Sequence, residues 1–173
     1  MKTSQTAVNE TPLEFDSFDL RDFFPYLVRV YYRAVSDAVT NVYATRFGLS
    51  VSEWRTMAVL GPANALSASE IVEQSSMDKV TVSRAIKGLQ AHKFLKRDVD
   101  NTDKRRAVLK LTQAGIDAFG ELVPLVKQVE KDCLQGLTPE EQETLISLMH
   151  RVRQNADNLA QSPVDNQKRT SNG

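Results

Sequence analysis

Apolar residues recur along most of the chain at the three- and four-residue intervals of an α-helix. The longest such stripe lies between about residues 20 and 47 and comprises Phe24, Val28, Tyr31, Val35, Ala38 and Val42. Gly48 follows the stripe and is a typical C-cap. Because a stripe of nearly four heptads usually packs against another helix, the pattern predicts one long helix whose apolar face needs a partner.

Three shorter helices are predicted by the residues that begin and end them. Residues 50–53 (SVSE) and 67–70 (SASE) both have the spacing of a capping box, in which serine and glutamate side chains satisfy amides of the first turn. The first helix is expected to end at Gly61-Pro62. The second spans about residues 68–74 and the third about residues 78–93, which predicts a helix-turn-helix unit.

After Phe94 the apolar period changes to two, which is typical of strands. The turn-forming segment 100–103 separates two alternating runs, Leu95, Arg97 and Val99 before it and Arg106, Val108 and Lys110 after it. The pattern predicts an antiparallel hairpin.

Two further helices are predicted toward the C-terminus. Thr112 is expected to cap a helix that kinks at Pro124 and ends near Gly136. Residues 138–141 (TPEE) form a capping box with proline at the first helical position. The last helix then carries the stripe Leu145, Leu148, Val152, Ala156 and Leu159.

The composition is that of a globular protein, but its charge is unevenly distributed. The 173 residues are 41% hydrophobic and 25% charged, and the one cysteine excludes an internal disulfide. Segment 79–110 has ten basic and three acidic residues, a net charge of +7; the rest carries −7, because 22 Lys+Arg balance 22 Asp+Glu. Such a segment suits a phosphate backbone, although a solvated charge run without a partner has the same composition.

The third short helix has the side chains of a DNA-recognition helix. If Val82, Ile86 and Leu89 face the core, the opposite face carries Val80, Ser83, Arg84 and Lys87. The second helix of a helix-turn-helix enters the major groove. There Arg84 can form a bidentate pair with guanine and Val80 can pack on a thymine methyl. An amphipathic surface helix without a ligand is the alternative.

The hairpin tip carries the cations Lys104, Arg105 and Arg106, which suit the narrow, negative minor groove. Asp103 lies two residues before Arg105 and can hold its guanidinium in one rotamer. A charged turn that serves only solubility is the alternative.

These segments together resemble the MarR family of bacterial winged-helix transcriptional regulators over about residues 20–159. The matching stretches are GLSVSEW (48–54), SASEIVEQSSMDKVTVSRAIKGL (67–89), FLKR (94–97) and NTDKRRAVLKLTQAG (101–115). The last looks like the family's wing signature, with Asp103 and Arg105 at its Asp-x-Arg pair.

The resemblance implies a homodimer whose first and last helices interlock. Two recognition helices in one dimer would in turn bind an inverted-repeat operator in double-stranded DNA. The resemblance also implies that Arg105 enters the minor groove, oriented by Asp103, and that similar proteins repress an operon until a small, often phenolic or anionic, ligand binds. The candidate DNA-binding residues are Lys79, Val80, Thr81, Ser83, Arg84, Lys87, Asp103, Lys104, Arg105 and Arg106.

The expected fold is mainly α with a small β-hairpin wing, a winged helix-turn-helix between dimerisation helices. The expected organisation is a flexible tail (1–17), a dimerisation helix (18–47), a DNA-binding domain (48–112), dimerisation helices (113–160) and a second flexible tail (161–173). No signal sequence or membrane-spanning run is recognised, so the cytoplasm is the expected location and no membrane partner is expected.

An enzyme is the main alternative from another class, but His92 and His150 have no nucleophile in a recognisable arrangement. No phosphate loop, HExxH or zinc-ligand spacing occurs, so no catalytic residue, cofactor or metal is expected. A winged-helix interaction or architectural module without a small-molecule effector stays as the second alternative.

A small-molecule effector is expected from the aromatic and arginine residues of the first helix and the tryptophan after it. Arginine pairs with carboxylates and aromatic rings stack on flat ligands, which favours an aromatic acid. The candidates are Tyr31, Tyr32, Arg33, Tyr43 and Trp54. Core or dimer-interface packing is the alternative for the same residues. Peroxide-sensing relatives carry a reactive cysteine near the N-terminus, whereas Cys133 is predicted to be structural, deep in a helix.

Overall fold

The computed structural model describes residues 18–99 and 107–161. In chain order the elements are α1 (Phe24–Phe47), α2 (Val51–Ala63), α3 (Ala68–Ser75), α4 (Lys79–Ala91), β1 (Leu95–Val99), β2 (Ala107–Leu111), α5 (Gln113–Cys133) and α6 (Pro139–Gln161). The predicted class, mainly helical with a small hairpin, is confirmed. The chain divides into two compact units, Met1–Val129 and Glu130–Gly173.

The predicted starts of α2 and α3 are confirmed, and each is fixed by a local capping box. The Glu53 amide donates to Ser50 Oγ (3.3 Å), and the Ser50 amide donates to Glu53 Oε2 (2.7 Å). Ser67 and Glu70 make the same two bonds at 3.3 and 2.7 Å. At the C-terminal end of α1, Gly48 adopts the left-handed conformation (φ 67°) that its predicted C-cap role requires.

The predicted end of α2 at Gly61-Pro62 is wrong, since the helix continues through both residues to Ala63. A Cβ on Gly61 would lie 2.3 Å from the Phe119 ring, so this glycine allows α5 to pack closely on α2. Pro62 has no amide to donate to the carbonyl of Ala58, but the helix ends one residue later, at Ala63, so no further turn depends on that bond. Helix α5 also ends earlier than predicted, at Cys133, after continuing through Pro124.

The core of the first unit joins the last turns of α1 to α2, α3, α4, α5 and the hairpin. Its buried residues are Tyr43, Leu49, Met57, Leu60, Leu66, Ile71, Val82, Leu89, Leu95, Leu109, Leu111, Ala118 and Leu122. Val82 and Leu89 are buried and Ile86 packs against them, which confirms the predicted core face of α4.

The hairpin is antiparallel, with its register running from Leu95 opposite Leu111 to Val99 opposite Ala107. Leu66 pairs with Leu109 on the other side of β2, its carbonyl accepting from the Leu109 amide at 2.7 Å. Val108 and Leu109 are both buried, which simple alternation does not predict. The predicted tip residues 100–106 lie outside the described residues.

The second unit contains the end of α5, a turn and α6. The Glu141 amide donates to Thr138 Oγ1 (3.2 Å) and the Thr138 amide donates to Glu141 Oε2 (2.8 Å), so the predicted capping box is confirmed. No residue of α6 is buried, and its apolar side chains Ile146, Leu148, Met149, Val152 and Leu159 are exposed. Cys133 is exposed at the end of α5, so its predicted position deep in a helix is wrong.

The first half of α1 exposes a continuous set of large apolar side chains. They are Phe24, Leu27, Val28, Val30, Tyr31 and Tyr32, with Phe18, Leu20 and Phe23 just before them. A surface of this kind is typical of a protein–protein contact. Among residues 18–99 and 107–161, none of the helices combines the length and apolar character needed to span a membrane.

Candidate nucleic-acid interface

The first turn of α4 is fixed by Asp78, the residue that precedes the helix. Asp78 Oδ1 accepts from the Thr81 amide (2.8 Å), and Asp78 Oδ2 accepts from the Thr81 hydroxyl (2.6 Å). The hydrogen bond from the Thr81 hydroxyl, followed by the one from the Thr81 amide, holds the pKa of the Asp78 carboxyl below its usual value. Thr81 has therefore committed its hydroxyl hydrogen, and only the lone pairs of that oxygen remain to accept from a ligand.

The outer face of α4 is polar, basic and open to solvent. Lys79, Val80, Ser83, Arg84 and Lys87 are all exposed, as predicted, and Val80 is 60% exposed. At about 100° per residue, these side chains share a sector of the helix opposite its buried residues. Within the described ranges, neither Arg84 nor Lys87 forms an ion pair. Both charges are therefore available to a ligand.

A cavity of about 360 Å³ adjoins this face, between α3, α4 and the hairpin. Its floor is apolar, with Val72, Val82, Ile86 and Leu109, and Lys79, Lys87 and Arg97 supply three cations to its lining. Arg97 is not among the DNA-binding residues that the sequence predicts. Its position in the basic segment 79–110 was the available signal in the sequence. In the structure Arg97 lies on β1 and lines the same cavity as Lys79 and Lys87 of α4.

The base of the hairpin has one neutralised cation and two exposed ones. Lys110 Nζ donates to Asp98 Oδ2 across the strands (3.1 Å). A bond from the Val99 amide, followed by Lys110, lowers the pKa of Asp98. Lys96 and Arg97 are exposed on β1. The predicted wing residues Asp103, Lys104, Arg105 and Arg106 lie outside the described residues.

Two of the five predicted effector residues belong to the core. Tyr43 is 2% exposed and stacks on Trp54, with ring centroids 5.7 Å apart, and Trp54 stacks in turn on Phe119 at 5.8 Å. The Thr40 hydroxyl donates to the Ser36 carbonyl, so the 2.8 Å bond between Thr40 and Tyr43 has the tyrosine as donor. Both aromatic rings are thus committed to packing in the isolated chain.

The other three predicted effector residues are exposed on α1. Tyr32 accepts a 3.2 Å hydrogen bond from Arg55 Nη2 of α2, and Arg33 lies 3.8 Å from Asp37 in an ion pair. Tyr31 is also exposed. Sequence reasoning missed Arg55, because the contact between α1 and α2 that brings it to Tyr32 has no signature in local spacing.

Comparison with known proteins supplies the family. A sequence model of the MarR family matches residues 47–106. The uncharacterized HTH-type transcriptional regulator YwaE of Bacillus subtilis (strain 168) is 32% identical over 120 residues, which cover 69% of this chain and 68% of YwaE. This chain belongs to the MarR family. It is therefore a DNA-binding transcriptional regulator, in a family that is not enzymatic.

Solved structures of other DNA-binding proteins share its fold. Bordetella bronchiseptica BpsR, whose DNA binding is regulated by 6-hydroxynicotinic acid, superposes with a TM-score of 0.70 at 23% identity, over 79% of this chain and 96% of BpsR. A cysteine-to-serine mutant of MarR from E. coli, complexed with operator DNA, gives a TM-score of 0.69 at 19% identity, over 79% and 99% of the two chains. The predicted winged helix-turn-helix with N- and C-terminal helices is thus confirmed.

Proposed function

We propose that this MarR-family regulator binds an inverted-repeat operator as a homodimer, with α4 of each copy in the major groove and the hairpin at the adjacent minor groove. The observation that carries the proposal is the exposed outer face of α4, on which Arg84 and Lys87 make no ion pair among the described residues. A helix presented in this way by a helix-turn-helix can reach base edges with its N-terminal residues.

Each candidate side chain has a chemical role in the proposal. Arg84 pairs with guanine, Val80 packs on a thymine methyl, and Ser83 and Thr81 make sequence-tolerant polar contacts. Phosphates are bound by the lysines Lys79 and Lys87. In the hairpin tip, Arg105 enters the minor groove, Asp103 orients it, and Lys104 and Arg106 add positive charge.

Dimerisation is proposed from the apolar surfaces of the terminal helices. The exposed side chains of α1 and those of α6 would remain in water in a single chain, which costs about 25 cal/mol for each Å² of apolar surface left uncovered. A second copy covers these side chains if residues 18–47 and 113–160 form the dimer. Residues 48–112 are then left to bind DNA, and residues 1–17 and 161–173 are tails.

The oligomeric state and the operator geometry test this part of the proposal. Sedimentation at micromolar concentration should give about twice 19.4 kDa, and a monomer would contradict it. Two recognition helices then require half-site centres about 10 base pairs, or 34 Å, apart. A footprint on one unpaired half-site would contradict the symmetric arrangement.

We further propose that the protein is a repressor that a small aromatic acid releases from DNA. BpsR provides a precedent, since 6-hydroxynicotinic acid regulates its DNA binding. The exposed residues Tyr31, Tyr32 and Arg33 offer rings and a cation to such a ligand, with Arg55 beside Tyr32 as a second cation. Tyr43 and Trp54 would form the wall behind it.

An electrophoretic shift on the DNA upstream of the protein's own gene tests repression and release together. Addition of 6-hydroxynicotinic acid or a hydroxybenzoic acid should release the DNA, and a non-aromatic acid of equal charge should not. Specific binding that no member of an aromatic-acid panel changes would favour the alternative, a winged-helix module without an effector.

A further inference from the structure

Gly88 of α4 lies directly against Glu53 of α2. A Cβ built on Gly88 of α4 would lie 1.9 Å from Glu53 Oε1 and 2.9 Å from the Glu53 carboxyl carbon. Real Cβ atoms do not approach other atoms so closely, so any residue other than glycine at this position must displace the carboxylate or the helix. The Glu53 carboxylate thus occupies the space that a side chain would fill.

Moving the Glu53 side chain away from Gly88 would break its hydrogen bonds to Ser50. Its Oε2 accepts from the Ser50 amide (2.7 Å), which is one of the two bonds of the α2 capping box, and also from the Ser50 hydroxyl (2.6 Å). The residue is 8% exposed. Displacing the carboxylate would therefore break the cap at the start of α2 or leave a buried charge poorly solvated.

The same carboxylate also faces the end of α4. Its Oε1 lies 3.9 Å from His92 Nε2, and the His92 ring stacks on Phe94 with centroids 5.7 Å apart. His92 is the C-cap of α4. The Glu53 carboxylate thus lies against α4 at Gly88 and near its C-cap, one turn later.

We propose that Glu53 is a positioning residue for DNA recognition, and that Gly88 is the position on α4 that receives it. The capping box fixes the carboxylate on α2, and the contact at Gly88 sets how closely α4 lies against α2. Lys87, on the DNA-facing side, is the neighbour of Gly88, and Arg84 lies one turn before it. The depth of this contact therefore sets how the outer face of α4 is presented to the major groove. This inference rests on the proposed use of α4 in reading DNA.

A substitution cycle on the full-length protein tests the contact. Gly88→Ala should lower operator affinity about tenfold, an effect within the usual range for contacting residues, and should change affinity for random duplex less than about twofold. Combined with Glu53→Ala, which removes the obstructing carboxylate, Gly88→Ala should cause no further loss. In the Glu53→Gln background, where the side-chain volume is kept, Gly88→Ala should still lower operator affinity about tenfold.

Gly120→Ala is the matched control. Gly120 is also a helical glycine, but a Cβ there meets nothing within 4 Å. The control should keep the thermal denaturation midpoint of the wild type or raise it slightly, because alanine strengthens the helix and meets no neighbour within the chain. Glu53→Asp, which shortens the side chain by one methylene, replaces Glu53→Ala if the latter does not fold.

Three results would overturn the positioning role: operator binding by Gly88→Ala at wild-type strength, an equal loss on operator and random duplex, or an equal further loss in every Glu53 background. Failure of the wild type itself to distinguish operator from random duplex would instead contradict the proposed function. The two failures are therefore separable in one set of titrations.

Discussion

The Asp78 carboxylate accepts two hydrogen bonds from Thr81, one from its amide and one from its hydroxyl. Asp78 is the N-cap of α4, so a negative charge stands at the end of the helix that we propose enters the DNA groove. That charge favours the helix N-terminus and opposes the approach of phosphates. Capping and DNA binding therefore make opposite demands on one side chain.

Asp78→Asn should separate these two demands. Asparagine also caps helices, so the thermal denaturation midpoint should fall only slightly, whereas Asp78→Ala should lower it clearly. Loss of the charge should tighten binding of Asp78→Asn to operator and random duplex alike, most at low salt, where screening is weakest. Fluorescence anisotropy at two salt concentrations measures this. Weaker binding by Asp78→Asn to both duplexes would show that the charge does not oppose DNA.

The pH dependence of stability should carry the same signature. Folding lowers the pKa of Asp78 from its ordinary value of 3.8, so its stabilising contribution is complete above that pH. The contribution disappears as the pH falls through the lower pKa of the folded state. Between pH 6 and pH 3 the wild type should thus lose more stability than Asp78→Asn, as measured by calorimetry. Equal losses of stability in the wild type and Asp78→Asn would show that the Asp78 carboxylate does not cause this pH dependence.

For the wing residue Asp103, charge repulsion and orientation of Arg105 predict opposite changes in operator affinity. Arg105→Ala should leave stability and dimerisation nearly unchanged and lower operator affinity by tenfold or more, about 1.4 kcal/mol per decade. For Asp103→Ala, charge alone predicts tighter binding. If Asp103 orients Arg105, binding weakens, because the arginine must then be ordered on contact.

We expect weaker operator binding by Asp103→Ala. The double variant of Asp103 and Arg105 should bind about as weakly as Arg105→Ala alone, since the acid then has nothing to orient. Titrations of the three variants against one operator at moderate salt decide the matter. Tighter binding by Asp103→Ala would reduce the wing to a generic basic patch.

Tyr43→Phe distinguishes a core role from a ligand role. It removes the hydrogen bond to Thr40 from a residue that is 2% exposed, so stability should fall by about 1 kcal/mol in urea denaturation. Release of operator DNA by aromatic acids should be unchanged. Tyr32→Phe, at the exposed tyrosine bonded to Arg55, is the matched substitution and should weaken release. Impaired release by Tyr43→Phe alone would place the ligand at Tyr43.

The starts of α2 and α3 and the buried and exposed faces of α4 could be predicted from sequence because their causes are local. A capping box needs two residues three positions apart, and the buried stripe of α4 follows from its period. Gly61 was misread as a helix end because its actual role depends on Phe119, more than fifty residues away. No local pattern reveals that kind of close packing.

The same limit applies to the candidate sites. The stacking of Tyr43 on Trp54 and the contact between Glu53 and Gly88 join separate helices, so spacing along the chain could not predict either. Both Gly61 and Gly88 occur in helices, where glycine normally indicates a break or a weak point. In this protein they permit close packing between helices.

The central claim, that the outer face of α4 reads DNA sequence, is tested most directly by comparing Arg84→Ala with Lys87→Ala. Each variant is titrated against operator, single-base operator variants and random duplex over a range of salt. Arg84→Ala should cost about 1–3 kcal/mol on operator and relax the preference at one base pair in each half-site. Lys87→Ala should weaken all sequences alike and reduce the salt slope by about one. An equal loss on operator and random duplex for both variants would contradict the claim.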